Sequence, residues 1–445
     1  MPKITHRKKR LSSFKLIVLG FAGVIVLGAL ILMLPFSSTA GVVTPFHEAL
    51  FTSTSAVCVT GLVVQDTGSY WSAFGQTVIL LLIQIGGLGV VTVAALFAML
   101  SGRKISLMQR STMQDAISAP KVGGIVRLTR FIVRGTFLIE LIGMIVMLPT
   151  FCGNYGIKGI WMAAVHSVSA FCNAGFDILG TAENKYPSLT GYIGNPAINI
   201  TIMLLIIVGG IGFLTWDDIY TNKWHFKKYR MQSKVILVTT AILIIAPAVF
   251  FFFCDFTGLP LAERILASLF QSVTPRTAGF NTADLSAMTG SSKAIMTLLM
   301  LVGGSPGSTA GGMKTTTLAV LIMSAFSVCR KKDDAEVCGR RIDGSAVKNA
   351  AAVAVMYFLL FFVGGIVIST AEGLPLSTCL YETASAVGTV GLTLGITPQL
   401  GVLSQLILIV LMYLGRVGGL TLIYAAVSNK NHSGAKLPLE KITVG

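Results

Sequence analysis

The chain has 445 residues, of which 53% are hydrophobic and only 12% are charged. Soluble proteins carry about 25% charged residues, so this composition excludes an ordinary soluble domain and predicts a protein of the lipid bilayer. The formal net charge of +16 does not indicate a nucleic-acid partner, because the basic residues alternate with apolar spans and form no continuous patch.

Eight long apolar stretches, taken in chain order, predict eight membrane-spanning helices. They lie near residues 16–35, 76–100, 131–149, 197–215, 235–254, 294–326, 347–369 and 403–427. The first stretch is too long for the core of a signal peptide and ends in no clear cleavage site, so it is expected to remain as a span. An even number of spans places both termini on one side.

The basic residues indicate which side that is. Lys and Arg concentrate in the two tails and in every second connection, at 102–134, 216–234 and 328–348. Basic loops remain on the cytoplasmic face of a membrane. The sequence therefore predicts a multi-pass protein of the cell membrane with both termini in the cytoplasm.

The four connections on the opposite side each contain one more apolar run, which is too short to span. These runs are Phe46–Val57, Ile160–Phe171, Glu263–Val273 and Leu376–Val387. A run of about ten apolar residues suits a re-entrant half-helix. The non-helical end of such a segment is tolerated at membrane depth only where protein or a watery cavity covers it.

A glycine follows each half-helix after four to six residues, at Gly61, Gly175, Gly279 and Gly391, and Leu or Phe comes next each time. The chain therefore contains four helix, half-helix, helix units. A turn built on glycine can point backbone carbonyls at a common axis, and rings of carbonyls can replace the water around a cation. The predicted lining residues are Val59, Thr60, Gly61, Asn173, Ala174, Gly175, Thr277, Ala278, Gly279, Thr389, Val390 and Gly391.

The second helix of each unit carries a further glycine-rich mark, beginning at Gly86, Gly209, Gly303 and Gly415. Small residues also permit close helix packing in membranes, and for Gly86, Gly209 and Gly418 that explanation is as good as a pore role. It does not suit the four glycines after the half-helices, which lie outside the spans.

The predicted fold class is an all-α membrane protein with four pore repeats in pseudo-fourfold symmetry around one ion pathway. The expected divisions are a basic tail 1–13, repeat one at 14–101, repeat two with its preceding loop at 102–220, repeat three at 221–330, repeat four at 331–428 and a tail 429–445.

Helix six is interrupted by ten small residues, which cannot form a stable helix. They are Gly303, Gly304, Ser305, Pro306, Gly307, Ser308, Thr309, Ala310, Gly311 and Gly312. A structural kink is the simpler explanation, but ten residues exceed what a kink needs. The segment 303–313 is therefore predicted to be an intramembrane gate below the third turn.

Three basic residues lie near these elements. Arg416 lies inside the last span, where a charge is costly and usually faces a cavity or a partner, and it is predicted to act with the gate. A packing role for Arg416 is the alternative. Lys314 is expected to reach the inner surface, and Arg276 to brace the third turn from behind.

Enzymatic chemistry is not expected. Gly303 to Gly307 matches a nucleophile-elbow pattern, but no strand precedes it, and Met313 interrupts the resemblance to a Walker loop. Seven scattered cysteines offer no paired spacing for zinc or disulfides. No resident cofactor is predicted.

Eight spans, four re-entrant segments and one turn glycine per repeat resemble the Trk/Ktr/HKT superfamily of potassium transporters, and the membrane subunit of the bacterial Ktr system in particular. The resemblance implies K+ as the transported ion, a selectivity filter with K+ at Gly61, Gly175, Gly279 and Gly391, and gated passive conduction. It implies a homodimer and a cytosolic regulatory ring that binds nucleotides. Sodium as an activator, and Na+- or H+-coupled symport, remain open alternatives.

Overall fold

The computed structural model describes residues 13–101, 105–117, 123–332, 334–419 and 421. Residues 1–12 of the predicted N-terminal tail, the end of the eighth predicted span and the tail 429–445 lie outside the described residues. In chain order the helices are α1 (Ser13–Leu32), α2 (Phe46–Val57), α3 (Ala73–Leu88), α4 (Val90–Leu100), α5 (Leu107–Ile117), α6 (Ile125–Tyr155), α7 (Lys158–Phe171), α8 (Pro196–Gly210), α9 (Phe213–Asn222), α10 (Met231–Cys254), α11 (Leu261–Val273), α12 (Gly290–Leu301), α13 (Thr315–Cys329), α14 (Gly344–Glu372), α15 (Leu376–Gly388) and α16 (Val402–Val417).

The first helix of each repeat is long, apolar and continuous. Helices α1, α6, α10 and α14 are each long and apolar enough to cross a membrane. The second helix of each repeat is instead interrupted or short. Helices α3 and α4 meet at 95°, α8 and α9 meet at 98°, and α12 is separated from α13 by the predicted break. The eight predicted spans therefore correspond to four continuous helices, three interrupted ones and α16 within the described part of the chain.

A glycine ends the second helix in three of the repeats. Gly89, Gly212 and Gly418 have φ of 84°, 92° and 87° with extended ψ, a conformation that a residue with a side chain rarely adopts. The first glycine of these three marks has a different role. A Cβ at Gly86, for example, would collide with the Val57 carbonyl at the end of the half-helix. The first glycine of a mark therefore permits close packing, and the last glycine allows the chain to change direction.

The four half-helices lie where the sequence predicts them. Each begins within two residues of its predicted start and ends within one residue of its predicted end. Three of them, α2, α11 and α15, begin after a proline, which suits the first turn of a helix because no backbone donor is lost there.

Contacts between repeats close into a circle. The second helix of one repeat contacts the half-helix of the next, as α3 with α7, α8 with α11 and α12 with α15. The last helix, α16, contacts the first half-helix, α2. Each half-helix is therefore held between helices of its own repeat and one helix of its neighbour.

The described chain is mostly helical, and one small connection departs from the predicted all-α class. Between α13 and α14, strands β1 (Glu336–Val337) and β2 (Arg340–Arg341) form an antiparallel hairpin. Its turn residues Cys338 and Gly339 have φ of 50° and 72°. Positive φ at both central residues is typical of the two-residue turns whose backbone twist matches that of the flanking strands.

Candidate functional site: a ring of four glycine turns above a broken helix

The four turns after the half-helices share one backbone conformation. Two residues before each glycine, Val59, Asn173, Thr277 and Thr389 have positive φ of 52°, 59°, 65° and 51°. The glycines themselves have φ of 91°, 68°, 79° and 97°. Residues with side chains adopt positive φ uncommonly, so four such pairs at matching positions show that the sequence repeat is also a backbone repeat.

The structure brings the four glycines together. A Cβ added to Gly61 would lie 2.5 Å from the carbonyl oxygen of Ala174, and one added to Gly175 would lie 2.6 Å from that of Ala278. At Gly279 the Cβ would collide with the carbonyl of Val390, and at Gly391 with that of Thr60.

Each glycine thus contacts the next turn, and the fourth contacts the first. Only glycine fits a circle this tight, because every added Cβ would enter the neighbouring backbone.

Hydrogen bonds hold the turns from the half-helix side. Ser55 Oγ accepts from the backbone N–H of Gly61 at 3.0 Å, and Ser385 Oγ accepts from that of Gly391 at the same distance. In the third turn the hydroxyl of Thr274 donates to the carbonyl of Phe280. These bonds use the amides of the ring glycines in the first and fourth turns.

A cavity of 330 Å³, named the outer cavity, lies on the side of the ring opposite the broken helix and is lined by all four glycines. Asp66 and Asp177 also line it. Burial, with repulsion from Asp66 as a smaller cause, raises the pKa of the Asp177 carboxyl to about 7. The cavity therefore gains negative charge as the pH rises through neutrality.

The predicted gate segment lies directly beneath the ring. Its two ends are paired, since Val302 and Met313 form a bridge and Gly303 N–H donates to the Met313 carbonyl at 2.8 Å. The hydroxyl of Thr309 donates to Asn173 Oδ1 at 3.0 Å, and a Cβ at Gly311 would collide with the side chain of Thr389. The segment therefore contacts the second and fourth turns from below.

The freed backbone of the segment finds partners on the second repeat. Ser305 N–H donates to the Gly210 carbonyl at 2.9 Å, and Thr309 N–H donates to the Gly209 carbonyl at 3.2 Å. Phe213 N–H donates to the Gly307 carbonyl at 2.7 Å. Irregular backbone at membrane depth needs such partners. The bend between α8 and α9 leaves the Gly209 and Gly210 carbonyls and the Phe213 N–H available for these hydrogen bonds.

Arg416 joins the segment to the first repeat. Its guanidinium donates to the carbonyl of Thr309 and to the carbonyl of Gly86. Arg416 also lines a second cavity, of 290 Å³, together with Pro306 and Ser308 on the side away from the ring. Arg416 therefore has contacts that suit either alternative. Its bond to the Gly86 carbonyl suits a packing role, and its bond to the Thr309 carbonyl suits a role with the predicted gate.

Two further basic residues have definite positions. Lys314 Nζ donates to the carbonyls of Ala310 at 2.8 Å and Gly311 at 3.3 Å, so the prediction that it extends to the inner surface is wrong. The non-helical segment of small residues leaves these carbonyls without helical partners, and the ammonium binds them. Arg276 is 5% exposed and donates to Thr240 on α10 at 3.3 Å, on the side of the turn where the sequence argument expects it.

The comparisons with known proteins agree with this architecture. The family model for TrkH, described as a cation transport protein, matches residues 24–433. The chain belongs to the TrkH family. Its members are integral membrane transporters, which confirms the predicted resemblance and the prediction that the chain is not an enzyme.

Similar TrkH-family proteins include the potassium/sodium uptake protein NtpJ of Enterococcus hirae, 39% identical with 98% of each chain covered. Ktr system potassium uptake protein B of Bacillus subtilis is 37% identical with 92% of each chain covered. The crystal structure of TrkH from Vibrio parahaemolyticus superposes with a TM-score of 0.74 at 19% identity, covering 96% of this chain and 87% of that one.

Two buried carboxylates of this TrkH-family chain were missed from the sequence. Glu140 lies on α6 and is 5% exposed, and Glu382 lies on α15 and is fully buried. Both occur inside runs that were assigned to apolar helices. An acidic residue within such a run is itself a signal, because buried carboxylates in membrane segments are costly and seldom without a role.

Proposed function

We propose that this chain is the potassium-translocating subunit of a K+ uptake system, and that K+ passes through the ring formed by Gly61, Gly175, Gly279 and Gly391. The observation that carries the proposal is the closed contact between successive glycine turns, with a cavity above and a broken helix beneath. The printed names of the relatives, a potassium/sodium uptake protein and a Ktr potassium uptake protein, support K+ as the ion.

In this proposal the twelve lining residues form a selectivity filter of pseudo-fourfold symmetry. The carbonyl groups of the turns would replace water around the ion, as backbone carbonyls do in potassium filters. The positive φ values of the turns support this role, because they set the direction in which each carbonyl points. An inside-negative potential would then supply about 2.3 kcal/mol per charge per 100 mV.

The segment Gly303 to Gly312 is proposed as the gate, with Arg416 as its latch. The contacts of Thr309 with Asn173 and of Arg416 with Thr309 favour a closed position beneath the ring. Arg416 also places a positive charge on the inner side of the path, which raises the barrier for a cation. Opening then requires the segment to leave these partners.

Replacing Arg416 with alanine is expected to raise K+ flux severalfold, because the latch between Thr309 and Gly86 is lost. Arg416→Lys is the matched variant. It keeps the charge but cannot donate to two carbonyls in the fixed fork of a guanidinium, so an intermediate flux is expected. Flux is measured in liposomes at equal protein density. A flux that is unchanged or lower in Arg416→Ala contradicts the latch.

The remaining features of the proposal follow the sequence pattern. The divisions 14–101, 102–220, 221–330 and 331–428 are proposed as the four pore repeats. The cytoplasmic side is proposed to carry the basic loops, both termini and a nucleotide-binding regulatory ring, with two such chains forming a homodimer in the cell membrane. The word "system" in the relatives' names supports further subunits.

Sodium-coupled symport is the second candidate, and the name of the potassium/sodium uptake relative favours it. The two candidates differ in one measurable property. Passive conduction carries K+ in the complete absence of sodium, whereas symport requires sodium on the side from which K+ enters, because the two ions cross together.

Expression is expected to restore the growth of a bacterial strain that lacks its own K+ uptake systems at limiting K+. In liposomes, a K+ gradient alone is expected to drive K+ entry, and added sodium is expected to change the rate without being required for net movement. The absence of K+ movement under every gradient, with protein correctly inserted, contradicts the proposed function. K+ movement only when sodium enters the liposomes together with K+ supports the symporter instead.

A further inference from the structure

Glu382 is a fully buried carboxylate within the fourth half-helix, α15. Among the residues that the structure describes it forms no ion pair. Burying an acid without a cationic partner is costly, so its hydrogen bonds are informative about why it is there.

Both oxygens of Glu382 accept from threonines that follow the ring glycine of the same turn. Thr393 Oγ1 donates to Oε2 at 2.9 Å, and Thr397 Oγ1 donates to Oε1. The two hydroxyls are also 3.0 Å apart. Because Thr393 and Thr397 come after Gly391 and Glu382 comes before it, the carboxylate ties together the two chain segments that flank the glycine.

The other three repeats have no carboxylate at the position of Glu382. The residues nine positions before their ring glycines are Thr52, His166 and Phe270. The Thr52 hydroxyl and the His166 Nε2 have no hydrogen-bond partner among the described residues, and Phe270 has no polar atom to offer. A carboxylate at this position is therefore particular to the fourth turn, within a ring whose backbone is otherwise repeated four times.

The tie is close to the ion path. Thr393 lines the outer cavity together with the ring glycines, so Glu382 is separated from that cavity by one hydroxyl group. The ring itself is tight, since Gly391 lies against the carbonyl of Thr60. A small movement of the fourth turn therefore changes the spacing of carbonyls on both sides of Gly391.

We propose that Glu382 is a positioning residue, which holds the fourth turn through Thr393 and Thr397 and thereby sets the preference of the ring for K+ over Na+. The inference rests on the proposed function. It assigns the role to hydrogen bonding rather than to the negative charge of the carboxylate.

The test compares K+ and Na+ uptake in liposomes for the full-length chain and its variants. Glu382→Ala is expected to lower the ratio of K+ to Na+ uptake about fivefold. This is the fold-change expected when the free energy of about one hydrogen bond no longer favours K+. Glu382→Gln can still accept from one threonine while donating to the other, because a hydroxyl can do either. A ratio within about twofold of the wild-type ratio is therefore expected for the glutamine variant.

The matched control is Thr52→Val, which alters the equivalent position in the first repeat without removing any hydrogen bond of the described structure. No change of ratio is expected. Should Glu382→Ala fail to insert into the membrane, Thr393→Val and Thr393→Ser replace it, because Thr393 is only half-buried. The ratio of K+ to Na+ uptake is expected to be lower for the valine variant and unchanged for the serine variant.

Three results overturn the inference. One is an unchanged ratio in both Glu382→Ala and Thr393→Val; another is an equal loss in Glu382→Gln and Glu382→Ala, which would assign the effect to charge. The third is an equal loss in Thr52→Val. If Gly279→Ser changes the ratio while Glu382→Ala and Thr393→Val do not, the ring remains the proposed filter and only the positioning role of Glu382 is rejected. If the wild-type chain moves no K+, the proposed function itself fails.

Discussion

Replacing Gly279 with serine is expected to lower the preference for K+ over Na+ about tenfold, which corresponds to about 1.4 kcal/mol. The added Cβ would collide with the carbonyl of Val390 and lie 3.1 Å from the Cα of Gly391, and the φ of 79° disfavours any side chain. The third and fourth turns must separate, which changes the spacing of carbonyls around the ion. Uptake of each cation into liposomes gives the ratio.

Gly41→Ser is the matched control for this substitution. Gly41 also has a positive φ, of 69°, but no atom lies within 4 Å of the added Cβ. Backbone strain is therefore shared by the two variants, whereas contact with a neighbouring turn is not. An unchanged ratio in Gly279→Ser, or the same change in Gly41→Ser, removes Gly279 from the filter.

Deletion of residues 305–311 is expected to raise K+ flux about tenfold or more, corresponding to at least about 1.4 kcal/mol of lowered barrier. The deletion removes Thr309 from beneath the ring and takes away one of the carbonyls that Arg416 binds. The chain can rejoin, because Gly303 already bonds to Met313 and a Cβ at Gly312 would lie only 3.4 Å from the Cα of Gly303. Initial rates of K+ entry into liposomes measure the effect.

Single substitutions at Thr309 supply the graded control. Thr309→Val removes the hydroxyl that bonds Asn173 and is expected to raise flux modestly, whereas Thr309→Ser keeps that hydroxyl and is expected to resemble the wild type. If the deletion variant reaches the membrane in normal amounts and its flux falls or stays level, the segment is not a gate.

The sequence was sufficient for the helices because apolar length and composition are local properties. The half-helix α2 spans Phe46–Val57, as predicted, and the ends of the other three differ by no more than two residues. The four glycine turns could also be found, since their spacing within each repeat is regular. Their actual proximity could not, because it depends on contacts between repeats, such as α16 with α2, that no local pattern encodes.

The polar contacts were the least predictable part. The sequence predicts that Lys314 extends toward the inner surface, but the carbonyls of Ala310 and Gly311 bind its ammonium. The role of Glu382 does not follow from the sequence, because this residue lies within a run assigned to an apolar half-helix and its threonine partners come after the turn. The right-angled bends at Gly89 and Gly212 were also missed, because glycine in an apolar helix is consistent with packing as well as with a break.

The closing contact between α16 and α2, reinforced by the Tyr413 hydroxyl donating to the Val18 carbonyl at 2.7 Å, has a consequence for biosynthesis. A chain emerging from the ribosome is synthesised from the first repeat onward, so the fourth repeat, which closes the ring, is made last. Until the fourth repeat is inserted, Gly61 has no Thr389–Gly391 turn beside it, and three quarters of a circle cannot enclose an ion. Under the proposed function, an unfinished chain therefore lacks a complete ion path.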